Sequence, residues 1–307
     1  MVLSFRRRPI AMGALLLSAL SACQSPPTGG TQNVDSTAGE TVALSPLPLD
    51  REAKLSAFLH EHYGEEARID GEWRQEYKET DEHASDGFAD APGRDIARSV
   101  CAQYWEEADG HSRLWLAICG NISHAGHPEP GLIDFYLLQE QPERLEIVSH
   151  SLNQPFGSYG NAGQVDSIVK VGAGTSAFLI KDGWAGQGFL LQSQTLLAPI
   201  GKTFLHLASL RDSINNGGWY DCEEDPSEEC RSHFFNLDFT LKFDGRDGAA
   251  AFYPLVVTER GVECGKTVQR EYRLDYDATQ SAYPVPEALM REDCLVEDSP
   301  NRGNPSP

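Results

Sequence analysis

The stretch "FNLDFTLKF" puts Phe235, Leu237, Phe239, Leu241 and Phe243 at every second position, with polar residues between them. Side chains alternate across a strand, so this spacing gathers all five on one face and leaves the other face to water. Runs of similar character recur from about residue 95 onward: "DIARSVCAQYW", "RLWLAIC", "LIDFYLL", "RLEIVSH", "VDSIVKV", "TSAFLI", "GFLLQSQ", "KTFLHLASL", "AAFYPLVV" and "QREYRLDY". Gly, Asp, Asn and Pro punctuate them. Many short strands separated by turn residues predict a mainly β chain, folded as an antiparallel sandwich or a barrel-like sheet.

One helix precedes the strands. In "DREAKLSAFLHEHYG", Asp50 suits an N-cap, Leu55, Phe58 and Leu59 form an apolar stripe, and Gly64 provides a stop. The following segment, residues 79–94, is polar and reads as a loop. The β domain is expected over 49–297, as one domain or as two packed halves with a break in the Gly-rich "QPFGSYGNAGQ" at 154–164. Residues 298–307 read as a disordered tail.

The N-terminus has a different character. Arg6, Arg7 and Arg8 precede an apolar run from Ile10 to Leu20, which is too short for a bilayer-spanning helix of about 20 residues and has the form of an export signal. The run ends in Leu20-Ser21-Ala22-Cys23. This resembles the lipobox of bacterial lipoproteins, and the resemblance covers the first 23 residues only. It implies a signal peptide over 1–22 and a lipidated Cys23 as the mature N-terminus, anchoring the chain to a membrane. Gln24, in place of the Asp that retains lipoproteins at the inner membrane, implies the outer membrane, facing the periplasm. Residues 23–48 are rich in Ser, Thr, Pro and Gly and read as a flexible tether, spanning roughly 28 Å on average.

Export changes the meaning of the cysteines. Setting Cys23 aside leaves Cys101, Cys119, Cys222, Cys230, Cys264 and Cys294, an even set suited to disulfides in an oxidising compartment. Cys101 and Cys119 lie on strand-like runs flanking an Asp109-Gly110 turn, so a hairpin folded there sets them opposite one another. Cys222 and Cys230 are neighbours in sequence. Cys264 and Cys294 flank a second expected hairpin with its turn near Thr279. Other connectivities remain open.

The formal net charge is −21, and loss of the three leader arginines takes it to −24. Such a chain repels polyanions, so nucleic acid is excluded as a partner. The acidity is greatest in "DCEEDPSEEC", where Asp221, Glu223, Glu224, Asp225, Glu228 and Glu229 crowd between two cysteines. A Cys222–Cys230 bridge would hold the repelling carboxylates in a fixed, exposed loop, with aromatics including Trp219 and Tyr220 anchoring its feet. That loop fits a solvated staple, a basic protein partner or a calcium ion, although it lacks the spacing of an EF-hand.

Other motifs carry little. Gly201-Lys202-Thr203 and Gly265-Lys266-Thr267 would each need a glycine five residues earlier to cradle phosphate, and Leu196 and Arg260 stand there. His124 and His127, with Glu129 nearby, are weak zinc candidates. Ser158 directly follows Gly157, the wrong spacing for a nucleophile elbow. No cofactor is implied. The sequence therefore points to a lipid-anchored envelope accessory protein that acts by binding, capturing or inhibiting another protein in the periplasm. The alternatives are an envelope hydrolase with a dispersed active site and a purely structural envelope component.

Overall fold

The computed structural model describes residues 49–77, 94–108, 110–224 and 226–292. The signal peptide, Cys23, the tether, the expected loop after residue 78, Asp225, Cys294 and the C-terminal tail lie outside the described residues. Those described belong to one compact unit, Leu47–Pro307.

Helix α1 (Leu49–Tyr63) leads into β1 (Trp73–Glu76), β2 (Asp95–Ala108), β3 (His111–Ile122), β4 (Gly131–Glu140) and β5 (Leu145–Phe156). These five strands form one antiparallel meander in chain order. A second, seven-stranded antiparallel sheet holds β6 (Gln164–Lys170), β7 (Ser176–Gly186), β8 (Phe189–Ile200), β9 (Thr203–Asn215), β10 (Phe235–Phe243), β11 (Leu255–Glu263) and β12 (Lys266–Leu274), also in chain order. A short helix, α2 (Glu228–His233), lies between β9 and β10. Neither sheet closes on itself, so the architecture is a sandwich and not a barrel. The Gly-rich segment singled out as a possible break is where the chain leaves the first sheet for the second.

The continuous apolar runs of β3 and β4 are explained by burial on both faces. On one side, Leu114, Leu116, Ile118 and Leu138 pack against Leu55, Phe58 and Leu59 of α1. On the other, Trp115, Ile133 and Phe135 meet Phe178, Ile180 and Phe204 of the second sheet. The Trp115 and Phe178 rings cross nearly edge to face at 5.2 Å. Each of the three α1 side chains contributes about 1.5–3 kcal/mol by leaving water. Asp50 lies inside the first turn of α1 and pairs with Lys54 at 3.2 Å, instead of capping the helix.

The alternation of β10 is realised: Phe235, Leu237 and Phe239 are buried, Leu241 and Phe243 pack beside them, and the intervening residues face water. The second sheet also curls. Ala173 N–H, in the β6–β7 turn, donates to Ala250 O at 2.8 Å, and Tyr253 N–H donates to Val171 O at 2.7 Å. The turn reaches the β10–β11 connection because residue 172 has no side chain; a Cβ there would sit 1.8 Å from Ala251 O.

Two pairs of cysteines are bonded as the spacing predicts, Cys101–Cys119 and Cys222–Cys230. The geometry of the first differs from a directly opposed pair. Cys119 registers with Ser99, and Cys101 occupies a bulge between Val100 and Ala102. The extra residue lets the two Cα atoms come within 5.6 Å. Cys264 is also disulfide-bonded. The hairpin expected near Thr279 is only a single bridge, Asp277 to Ala282. Cys264 instead sits in the β11–β12 turn, where Glu263 registers with Lys266.

Candidate functional site

The β7–β8 hairpin ends in a two-residue turn, Gln187-Gly188, with both residues at positive φ, 50° and 78°. That is the turn type whose twist suits adjacent antiparallel strands. Glycine is needed at 188 for a second reason: a Cβ would lie 2.5 Å from Trp219 N. The hairpin tip is therefore flanked closely by residues 218–219.

Aromatic groups gather at this tip. The His127 ring lies 4.2 Å from Tyr159 and 5.8 Å from Trp184. Its Nε2 is 3.3 Å from Ala185 O, to which it donates. Ser158 Oγ donates to Gly183 O at 3.1 Å, which fixes the 157–163 connection against the hairpin. Beneath it, Gly157 N–H donates to Asp182 Oδ2 at 3.3 Å. Burial raises the Asp182 carboxyl above its ordinary value, and the Gly157 bond opposes that rise. Tyr159 is 50% exposed, Leu190 44% and Trp219 64%. Trp and Tyr are enriched where proteins bind one another.

The acidic loop begins immediately after Trp219. Asp221, Glu223, Glu224, Glu228 and Glu229 are all exposed, as their mutual repulsion and the cost of burying charge require. Asp221 Oδ1 accepts the N–H groups of Glu223 and Glu224, each at 3.2 Å. Ser227 caps α2 by accepting the Cys230 N–H at 3.1 Å. Glu228 and Glu229 then occupy the first helical turn, where unpaired N–H groups favour negative charge.

Of the two aromatics named for the loop's feet, Tyr220 is half-buried beside His233 and Trp219 is not. Trp219 does not anchor them; its side chain stands in water. The anchor is Asn216, which is buried. Its Oδ1 accepts the Phe235 N–H at 2.9 Å, and its Nδ2 donates to His233 O at 2.8 Å. Its carbonyl accepts from Trp219 N–H and Tyr220 N–H. Tyr220 stacks on His233 at 5.4 Å. Nothing in the sequence near Asn216 announces this role, because it depends on Phe235, which is far along the chain.

The zinc candidates are not brought together. His124 and His127 are both exposed, and His127 is engaged with Tyr159 and Trp184. Glu129 forms an ion pair with the buried Arg94 and accepts the Gly126 N–H at 3.1 Å. Among the described residues, no group of three or more His, Cys, Asp or Glu is placed to hold a metal ion.

Two buried ionic clusters resemble catalytic arrangements. In the first, Asp134 Oδ2 accepts from Arg98 Nη1 and the Tyr63 hydroxyl, each at 2.7 Å. The Tyr136 hydroxyl, 2.8 Å from that of Tyr63, then donates to it. Desolvation raises both tyrosines, and it pushes Tyr136 up to about 12. In the second, Glu259 and Glu263 on β11 are bound by Arg270 and Arg291, and the Tyr272 hydroxyl donates to Glu259 at 2.9 Å. Asp134, Glu259 and Glu263 are buried and already bonded, so each cluster ties elements together and offers a substrate no open carboxylate.

No protein-family model, curated protein or solved structure matches this chain.

Proposed function

We propose that this chain is a lipid-anchored protein of the bacterial outer membrane that faces the periplasm and acts by binding another protein. The address rests on Arg6–Arg8, the apolar run and Leu20-Ser21-Ala22-Cys23. No helix among the described residues is long and apolar enough to cross a membrane.

The observation that carries the binding role is the exposure of Tyr159 and Trp219 about the β7–β8 tip, beside a loop whose shape a disulfide restrains. A rigid surface loses little conformational entropy on association, and that favours recognition.

The start of α1 lies at the other end of the first sheet from this surface. Arg51, near the start of α1, donates to Glu107 and Ser112 at the turn end of the β2–β3 hairpin and to Glu140 at the end of β4. His127 and Tyr159 follow the opposite ends of β3 and β5. β3 has 12 residues, so roughly 35–40 Å separates the start of α1 from the aromatic end.

The test is fractionation. The wild-type chain is expected to sediment with outer membranes, and Cys23→Ser to be released in soluble form. A Cys23→Ser chain that still sediments with membranes, or a freely soluble wild type, would overturn the address.

A further inference from the structure

We infer that the β7–β8 tip and the acidic loop form one docking surface for a cationic, Lys- or Arg-rich segment of a partner protein. This rests on the binding role proposed above and names its site and the partner's chemistry.

The surface has two components side by side. The first is aromatic: Tyr159, Trp184 and Trp219 surround the hairpin tip, and Trp219 is the most exposed large apolar side chain among the described residues. The second is charge. Residues 219–234 hold six acids against one arginine, and every described acid among them faces water. Contact between Gly188 and the backbone of Trp219 makes the two components contiguous.

Each component constrains the occupant. Carboxylates held in a disulfide-closed loop attract positive potential and exclude anionic surfaces. Exposed indole and phenol faces take up ammonium and guanidinium groups through the ring quadrupole, most strongly for Trp. Lys and Arg carry an apolar stem beneath the charge, so one side chain can cover an aromatic ring and reach a carboxylate at once. A neutral ligand would leave the concentrated charge without a purpose. A purely apolar partner would leave the carboxylates facing it without counter-charge.

The experiment uses the full-length chain in detergent micelles and a fluorescein-labelled oligolysine peptide, followed by anisotropy at several salt concentrations. Wild type is expected to bind, with affinity falling as salt rises. Trp219→Ala should weaken binding about tenfold or more while leaving the melting temperature unchanged. Replacing Glu223, Glu224, Glu228 and Glu229 by Gln should weaken binding and flatten its salt dependence. A control chain with Glu52, Glu61, Glu65 and Glu66 replaced by Gln carries the same charge change on and just after α1 and should bind as wild type does. The inference is overturned by an equal loss in the control chain, which would indicate generic attraction. It is also overturned by full binding in Trp219→Ala, by no binding in wild type, or by tighter, salt-independent binding of a neutral oligosaccharide. Micelle titrations do not depend on the anchor, so this outcome is independent of the Cys23→Ser fractionation.

Discussion

Arg98 and Asp134 form an ion pair inside the five-stranded sheet's helix-facing layer, with Nη1 2.7 Å from Oδ2 and both side chains at or below 10% exposure. Asp134 Oδ1 also accepts the Asn153 N–H at 2.6 Å, across a bulge in β5. One carboxylate thus joins β2, β4, β5 and, through Tyr63, the C-terminal end of α1.

Breaking this junction leaves a buried charge without its partner. Asp134→Asn is expected to destabilise the chain by about 3–5 kcal/mol. The measurement is a urea titration of wild type and variant. A loss near zero would mean that water reaches Arg98 and that the pair is not enclosed.

The tyrosines attached to Asp134 predict a sensitivity to alkali. Burial lifts Tyr136 from its ordinary 10.0 to about 12, and Tyr63 is raised as well. The folded form then holds protons that the unfolded chain releases above pH 10, so the stabilisation is complete below that pH and is lost as pH climbs from 10 towards 12. Unfolding midpoints should be flat from pH 8 to 9.5 and fall beyond 10. Tyr136→Phe should flatten that fall, and an identical fall in the variant would assign the lability elsewhere.

Arg291 inserts between Glu259 and Glu263 and donates to both. Arg291→Met is expected to cost about 3–5 kcal/mol, because two buried carboxylates would each lose a guanidinium partner. Adding Glu259→Gln should recover part of the loss. A double variant whose loss equals the sum of the single losses would show that the two residues act independently.

The disulfides predict a ranking. Opening Cys101–Cys119 should lower stability by about 3 kcal/mol, since it constrains the longer loop of the two and Cys119 packs between the sheets. Opening Cys222–Cys230 should cost somewhat less, because the closed loop is short and exposed. Non-reducing peptide mapping should recover both pairs and should join Cys264 to Cys294. Finding Cys264 joined to Cys23 would refute the lipidation of Cys23.

Strand content was legible because period-2 alternation is local. Phe235 to Phe243 declare one buried face without reference to any other element, and the runs read from the sequence overlap β2 through β12, although "AAFYPLVV" reaches only the first three residues of β11. β1, only four residues long, and α2, with six, are too short to show a period. The helix stripe of Leu55, Phe58 and Leu59 and the stop at Gly64 were equally local, as was the exposure of an acidic loop that could not be buried. Tertiary structure alone decided which surfaces meet. The sequence "LIDFYLL" shows that β4 is apolar on both sides, and only packing assigns one side to α1 and the other to the second sheet. The bulge at Cys101, the Asn216 anchor and the exposure of Trp219 belong to the same class. Each is set by groups distant in sequence, Ala117 and Cys119, Phe235 and His233, or Gly188. Chain distance carries no signal of such contacts, because they exist only once the sheets have closed over one another.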